Sequence, residues 1–434
     1  MCNSNFVDTD FNCIGRKYLM KIDELSQKEM YINSNIDCLY LYDKYKKEHY
    51  ITKEINLYCS TIYYSLCNCI IHKLYVLGLT NEKSKILLDI FDEINELEKM
   101  KENPLVYIFE GLINFTNNYV IGIEYISKGV NLIKSTFLNI FLSSEFLYGA
   151  NIITKNIPNK FQDIILINNN NNENDDIIDS SNIEILLNNT NGSEFFFINF
   201  TVDVIYFLAF SSDAMEILKK QENINKFGIY WNIIIDKNTY NNKQKMEEFI
   251  LKVNNLFEIY KQITTIIISQ QVFNEIEICD KSLFTTYRFV NMSKYFSILK
   301  KPIIQSDVDF EDINCDLFNN LFNKIKEYDI VLFKTYGTPW RKIAAGLSFF
   351  NDSEMINKFT KTFNVFLKFF FNKKKDSNWF IDQLCLTFTY IYLFNNLAAE
   401  KNIGTMYKYS KNSFQYSSQY KLKTINSYLE LSSR

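Results

Sequence analysis

The sequence predicts an all-α domain followed by an α/β domain built on a mostly parallel sheet. Three observations carry this expectation. Apolar residues recur at three- and four-residue steps from about residue 17 to 160, and residues 167–193 form an Asn/Asp-rich stretch with no apolar face. Beyond 194, continuous apolar runs of strand length alternate with helical patterns. The first rhythm is that of amphipathic helices. The last is that of strands buried on both faces with helices packed on either side.

At 434 residues the chain exceeds the size at which single cores stop growing, so two domains are expected, with 47% hydrophobic residues to fill them. The boundaries fall at 1–165 for a helical domain, 166–193 for an Asn-rich linker or loop, and 194–434 for the α/β domain. A formal net charge of -3 offers no electrostatic case for nucleic acid or an anionic membrane surface. The nine cysteines are odd in number, never spaced Cys-x-x-Cys, and crowd towards the start of the chain. This pattern fits buried thiols in a reducing compartment better than a zinc site or a disulfide framework. Cys67-x-Cys69 beside His72 invites a metal reading, but the spacing suits packed thiols on a helix. No basic-apolar leader and no apolar run of spanning length is visible, so a cytoplasmic location is the expectation.

Taken in order, "NEKSKILLDIFDEINELEKM" places Ile86, Leu87, Ile90, Phe91, Ile94 and Leu97 on one helical stripe. "YIFEGLINFTNNYVIGIEYISKGVNLIK" reads as two helices broken at Asn117-Asn118, with Gly111 where helices can pack closely. The pair is similar to a tetratricopeptide-type hairpin, although an ordinary helical bundle explains it equally well because no second copy recurs at a fixed period. After the Asn-rich stretch, "EFFFINF", "GIYWNIIID" and "ITTIIIS" read as strands. Helical patterns separate them, and "KSLFTTYRFVNMSKYFSIL" leads into "PIIQSDVDF". In such sheets ligands bind beyond the carboxyl ends of the strands. Asp307 and Asp309 stand at such an end.

In an extended segment residues i and i+2 point the same way, so both carboxylates can face one cation while Val308 turns inward. Hard oxygen ligands suit Mg²⁺ or Mn²⁺, which take one or two carboxylates plus substrate phosphates. A solvated acidic turn is the plain alternative for so short a motif.

The segment from 194 to about 400 resembles the GT-A glycosyltransferases, a Rossmann-like α/β fold, and most closely its family-8-like members that use nucleotide sugars. The residues that carry the resemblance lie in the family's order: "FFINFTVDVIYFLAFSSDAMEIL", "GIYWNIIID", "TYRFVNMSKYFSILKKPIIQSDVDF", "EYDIVLFKTYGTPWRKIAAGLSFFND" and "SNWFIDQLCL". The resemblance implies that Asp203 and Tyr206 lie beside the donor's base and that Arg288 contacts phosphate or orients the acidic pair. It implies that Asp307 and Asp309 hold the metal, and that Gly346 and Asn351 shape the donor and acceptor pocket. Trp379, Asp382 and Gln383 match a helix start whose Asp and Gln face the sugar or acceptor.

The implied activity is transfer of a sugar from a nucleotide-diphosphate donor, a UDP-sugar by expectation, to a glycan or protein acceptor, with Mn²⁺ or Mg²⁺. One departure is the metal-binding His that many members carry near the domain's end: both histidines here, His49 and His72, lie in the helical half. A catalytically inactive GT-A-like interaction protein therefore stays open, with the helical domain holding a protein partner. A sugar-nucleotide pyrophosphorylase is the other rival, but the Gly-rich opening loop it needs is missing after "EFFFINF".

Overall fold

The computed structural model of the chain describes residues 36–51, 55–77, 82–134, 136–142, 146, 150, 182–190, 192–220, 224–273, 281–308, 310–311, 317–334, 343–351, 353–370, 381–396, 403–407 and 414–415. The chain divides into two compact units, Met1–Lys160 and Phe161–Arg434.

The first unit is helical among its described residues: α1 (Ile36–Ile51), α2 (Leu57–Leu77), α3 (Glu82–Lys99), α4 (Leu105–Asn117) and α5 (Tyr119–Ile133). Leu87, Ile90, Phe91 and Ile94 of α3 are buried, as an apolar stripe requires, but Ile86 is 59% exposed. Successive residues turn by about 100° around a helix, which puts Ile86 at the margin of the stripe's arc, where the contact ends. At the break between α4 and α5, the Asn118 side chain accepts a hydrogen bond from the Ile121 N–H at 3.3 Å and caps α5. The two helices then approach closely where glycines face the partner helix. A Cβ on Gly122 would stand 2.6 Å from backbone atoms of Phe115, and one on Gly111 would stand 2.7 Å from the Gly122 carbonyl. The buried carboxylate of Glu98 is satisfied by the Tyr45 hydroxyl at 2.6 Å, the Lys101 ammonium at 3.0 Å and the Asn103 amide at 2.5 Å. A buried charge persists only with such partners.

The second unit is a mixed, mostly parallel eight-stranded sheet with helices, an α/β Rossmann-like domain. Its strands are β1 (Ile183–Asn188), β2 (Phe196–Asp203), β3 (Phe227–Asp236), β4 (Thr265–Phe273), β5 (Ile303–Ser306), β7 (Ile330–Lys334), β8 (Ile343–Phe350) and β9 (Ile403–Tyr407). They are ordered β1-β4-β3-β2-β5-β8-β7-β9. Strands β4, β3, β2 and β5 run parallel, as do β7 and β9, while β1 and β8 run antiparallel to their neighbours. The short strands β6 (Phe310–Glu311) and β10 (Phe414–Gln415) pair separately.

Strand β1 lies inside the stretch whose composition reads as linker or loop. Its "IEILLN" is a local apolar island that the surrounding Asn and Asp obscure, and antiparallel pairing along β4 holds it at the edge of the sheet.

The chain builds outward from β2 to β3 to β4, then returns to lay β5 on the other side of β2. That reversal makes the boundary between β2 and β5 a topological switch point, the place where such sheets open a crevice at their carboxyl ends. Among the described residues, the helices of eight residues or more in this unit are α6 (Val204–Lys219), α7 (Lys243–Tyr260), α8 (Lys281–Val290), α9 (Met292–Leu299), α10 (Leu317–Ile325), α11 (Ser353–Phe370) and α12 (Ile381–Asn396).

The two faces of the sheet differ in chemistry. One is apolar: Phe196, Ile198 and Phe200 of β2 join Ile229, Trp231 and Ile233 of β3 and Ile266 and Ile268 of β4 in a core with α6, α7 and α10. The opposite face carries buried amides and hydroxyls. Asn199 donates to Gln305 at 2.6 Å across the β2–β5 boundary, Ser269 donates to Asn232 at 2.9 Å, and Asn232 donates to the Tyr295 hydroxyl of α9 at 3.0 Å. Among the described residues, no helix is long and apolar enough to cross a membrane.

Candidate functional site

Strand β2 ends at Asp203, and its carboxylate accepts a hydrogen bond from the Tyr206 N–H at 2.8 Å, so this residue both closes the strand and caps α6. Tyr206 sits in the first turn of that helix, half-buried. Burial raises its phenol pKa, and the negative charges of Asp203 and Asp307 raise it further. The phenol therefore lies within electrostatic reach of both acids and stays protonated at neutral pH.

On the other side of the switch point, β5 ends at Ser306 and Asp307 follows. The Asp307 N–H donates to the Gly346 carbonyl of β8 at 2.9 Å, which fixes where the side chain leaves the sheet. Its carboxylate is only partly covered, with 23% of the side chain accessible.

Arg288 joins this rim to α12. Its Nε donates to the Thr285 carbonyl at 2.8 Å, one Nη bonds the Asp307 carboxylate, and the other bonds Asp382 Oδ2 at 2.8 Å. Arg288 and Asp382 are 7% and 5% exposed. Burial alone would lower the guanidinium's pKa, but the two carboxylates outweigh it and hold Arg288 above its ordinary value. Asp382 stands in the first turn of α12, and its other oxygen accepts the Gln383 N–H at 2.7 Å. All three donor directions of the guanidinium fork are thus used, a task for which a lysine's single ammonium has no equivalent.

The sequence-derived candidates separate cleanly by position. Asp203, Tyr206, Arg288, Asp307, Gly346, Asp382 and Gln383 gather where β2 and β5 end. Asn351 does not. Register pairs Ser306 with Leu347 and Ile303 with Phe350, so Asn351 lies past the amino end of β5, on the opposite rim from Asp307. Its amide is bonded to the Lys326 carbonyl at 2.9 Å and the Tyr328 carbonyl at 3.4 Å, tying down the turn between α10 and β7. Asp309 and Trp379 lie outside the described residues.

Two carboxylates share one guanidinium here, and Asp203 adds a third acid among the described residues. Among the described residues no group of three or more His, Cys, Asp or Glu is arranged to hold a metal. Asp307 presents a partly accessible carboxylate at this rim, a hard oxygen donor of the kind that divalent cations take together with substrate phosphates.

Sequence reasoning missed the amide layer beneath the site. Strands β2, β3, β4 and β5 each carry a fully buried polar residue on the face opposite the apolar core: Asn199, Asn232, Ser269 and Gln305. Their recurrence was the available signal. The Asn199–Gln305 bond ties together, alongside their backbone pairing, the two strands that flank the switch point.

No protein-family model and no curated protein sequence matches this chain. Among solved structures it is similar to 4-diphosphocytidyl-2C-methyl-D-erythritol synthase from Anaerococcus prevotii, with TM-score 0.30 and 13% identity over 55% of this chain and 97% of that one. It is also similar to the apo form of mouse xyloside xylosyltransferase 1, with TM-score 0.27 and 11% identity over 49% of this chain and 85% of that one. Scores at this level transfer no activity.

Proposed function

We propose that the second unit binds a nucleotide-diphosphate sugar at the β2–β5 switch point and transfers the sugar to a glycan or protein acceptor with the help of Mg²⁺ or Mn²⁺. The observation that carries the reading is the convergence of Asp203, Tyr206, Arg288, Asp307 and Asp382 at the carboxyl ends of two adjacent parallel strands.

In this reading Tyr206 offers its ring to the base and Asp203 fixes the helix that carries it. Asp307, with Asp309 beside it, holds the divalent cation. When bound, the cation neutralises charge on the departing diphosphate as a Lewis acid. Arg288 keeps Asp307 in one orientation and holds the buried Asp382 carboxylate in place through its second Nη, where Asp382 and Gln383 face sugar hydroxyls. Fixed charge of this kind needs no reorganisation as the bond breaks.

A second reading has its own support. Because Arg288 engages both Asp307 and Asp382, the site is partly neutralised from within, which suits an inactive GT-A-like protein that binds without turnover. Calorimetric titration of UDP- and GDP-sugars with and without Mn²⁺ separates these from each other and from no site at all. Metal-dependent binding that disappears in Asp307→Asn and Asp309→Ala supports the site, and release of free sugar from the bound donor marks it as active. Absence of any nucleotide binding overturns both readings.

A further inference from the structure

A second piece of chemistry lies in the helical unit. Cys38 of α1 and Cys69 of α2 face each other with their sulfur atoms 2.8 Å apart, although 31 positions separate them in the chain. A disulfide bond is about 2.05 Å long, so closing the pair requires movement of less than an ångström. Cys38 is 1% exposed and Cys69 is partly exposed. Cys69 is the more accessible residue of the two, and the buried Cys38 sulfur lies against its sulfur.

We propose that Cys38 and Cys69 form a reversible redox pair in which a hydroperoxide oxidises Cys69 and Cys38 resolves it to a disulfide.

The chemistry balances in two steps. The Cys69 thiolate attacks one peroxide oxygen, an S–O bond forms as the O–O bond breaks, and the departing hydroxide takes up a proton to leave water. The Cys38 sulfur, giving up its proton, then attacks the sulfenic sulfur. The S–S bond forms, the S–O bond breaks, and the second oxygen leaves as water. Two thiols lose two electrons and one peroxide gains them, and a dithiol reverses the change by exchange.

Neighbouring thiols do not compete equally. Cys67 is fully buried, and burial pushes its pKa well up, so it stays protonated and shielded although its sulfur lies within electrostatic reach of Cys38. The Cys59 thiol is buried and donates to the Glu48 carbonyl at 4.0 Å. The pairing joins α1 to α2 within one unit, so its formation restrains the unfolded chain and raises that unit's resistance to unfolding.

The test uses the full-length protein, exposed to hydrogen peroxide, alkylated, digested without reduction and mapped by mass spectrometry. The expected result is one cross-linked peptide pair containing Cys38 and Cys69, loss of alkylation at both, full recovery with dithiothreitol, and a higher melting temperature for the oxidised form. Cys38→Ser should stop at a Cys69 sulfenic acid that dimedone traps, while Cys69→Ser should leave Cys38 reduced. Melting curves of both reduced variants identify any that fail to fold, and the wild-type peptide map stands without them. Alkylation of Cys38 and Cys69 undiminished by peroxide, or a Cys38–Cys67 cross-link in their place, overturns the proposal.

Discussion

At the scale of single residues, Arg288 is the position on which the site turns. A guanidinium 7% exposed is held by two carboxylates, one of them the Asp382 side chain at 5% exposure. Arg288→Met leaves both acids without their partner, and breaking a buried pair from one side costs about 3–5 kcal/mol. We therefore expect a large drop in denaturant midpoint for Arg288→Met and a smaller one for Arg288→Lys, which keeps the charge but not the fork. Urea unfolding of the three proteins checks this, and equal midpoints for wild type and Arg288→Met would contradict it. Asp307 was legible in the sequence as an acid at the end of an apolar run, whereas Arg288, Asp382 and Asn351 were named through the family resemblance. The resemblance grouped Asn351 with the donor and acceptor pocket, yet strand β8 runs antiparallel to β5 and carries it to the far rim. Strand direction cannot be read from one apolar run.

At the scale of elements, the α4–α5 hairpin and the β2–β5 pair show how local chemistry sets geometry. The hairpin's close approach depends on absent side chains, since a methyl on Gly122 would meet the Phe115 backbone rather than a movable group. Gly122→Ala should therefore destabilise the helical unit by roughly 1–3 kcal/mol, as overpacking does, despite alanine's better helix propensity. Thermal unfolding followed at the helical circular-dichroism band measures the effect, and an unchanged or raised melting temperature would show that the helices part easily. In the second unit, Asn199→Leu removes the amide that bonds Gln305 at 2.6 Å and leaves a buried acceptor unmatched, at a cost of about 1–3 kcal/mol. Helix positions were readable from periodicity, and Asn118 was readable as a break. Strand β1 was not, because six residues inside an Asn-rich stretch are too few to outweigh the composition around them.

At the scale of the whole molecule, the abundance of buried phenols gives the fold a defined alkaline limit. Burial raises the pKa of Tyr45, Tyr63, Tyr230, Tyr287 and Tyr295 above the ordinary 10.0. Above that pH the unfolded chain binds fewer protons than the folded one, so stability present below pH 10 falls as pH rises further. Spectrophotometric titration should show these tyrosines un-ionised until the protein unfolds, whereas smooth ionisation of every tyrosine near pH 10 would contradict their burial. The division into a helical and an α/β part was visible because hydrophobic period changes along the chain. The switch point was not, because strand order is a property of the assembled sheet. The account's central claim is that this switch point receives a nucleotide diphosphate with its cation. A crystal structure of the full-length protein soaked with UDP and Mn²⁺ tests it most directly. The account predicts an anomalous manganese peak within coordination distance of the Asp307 carboxylate, between the ends of β2 and β5, with the uracil against Tyr206. Nucleotide bound elsewhere, or a rim that stays empty at saturating UDP and Mn²⁺, would contradict it.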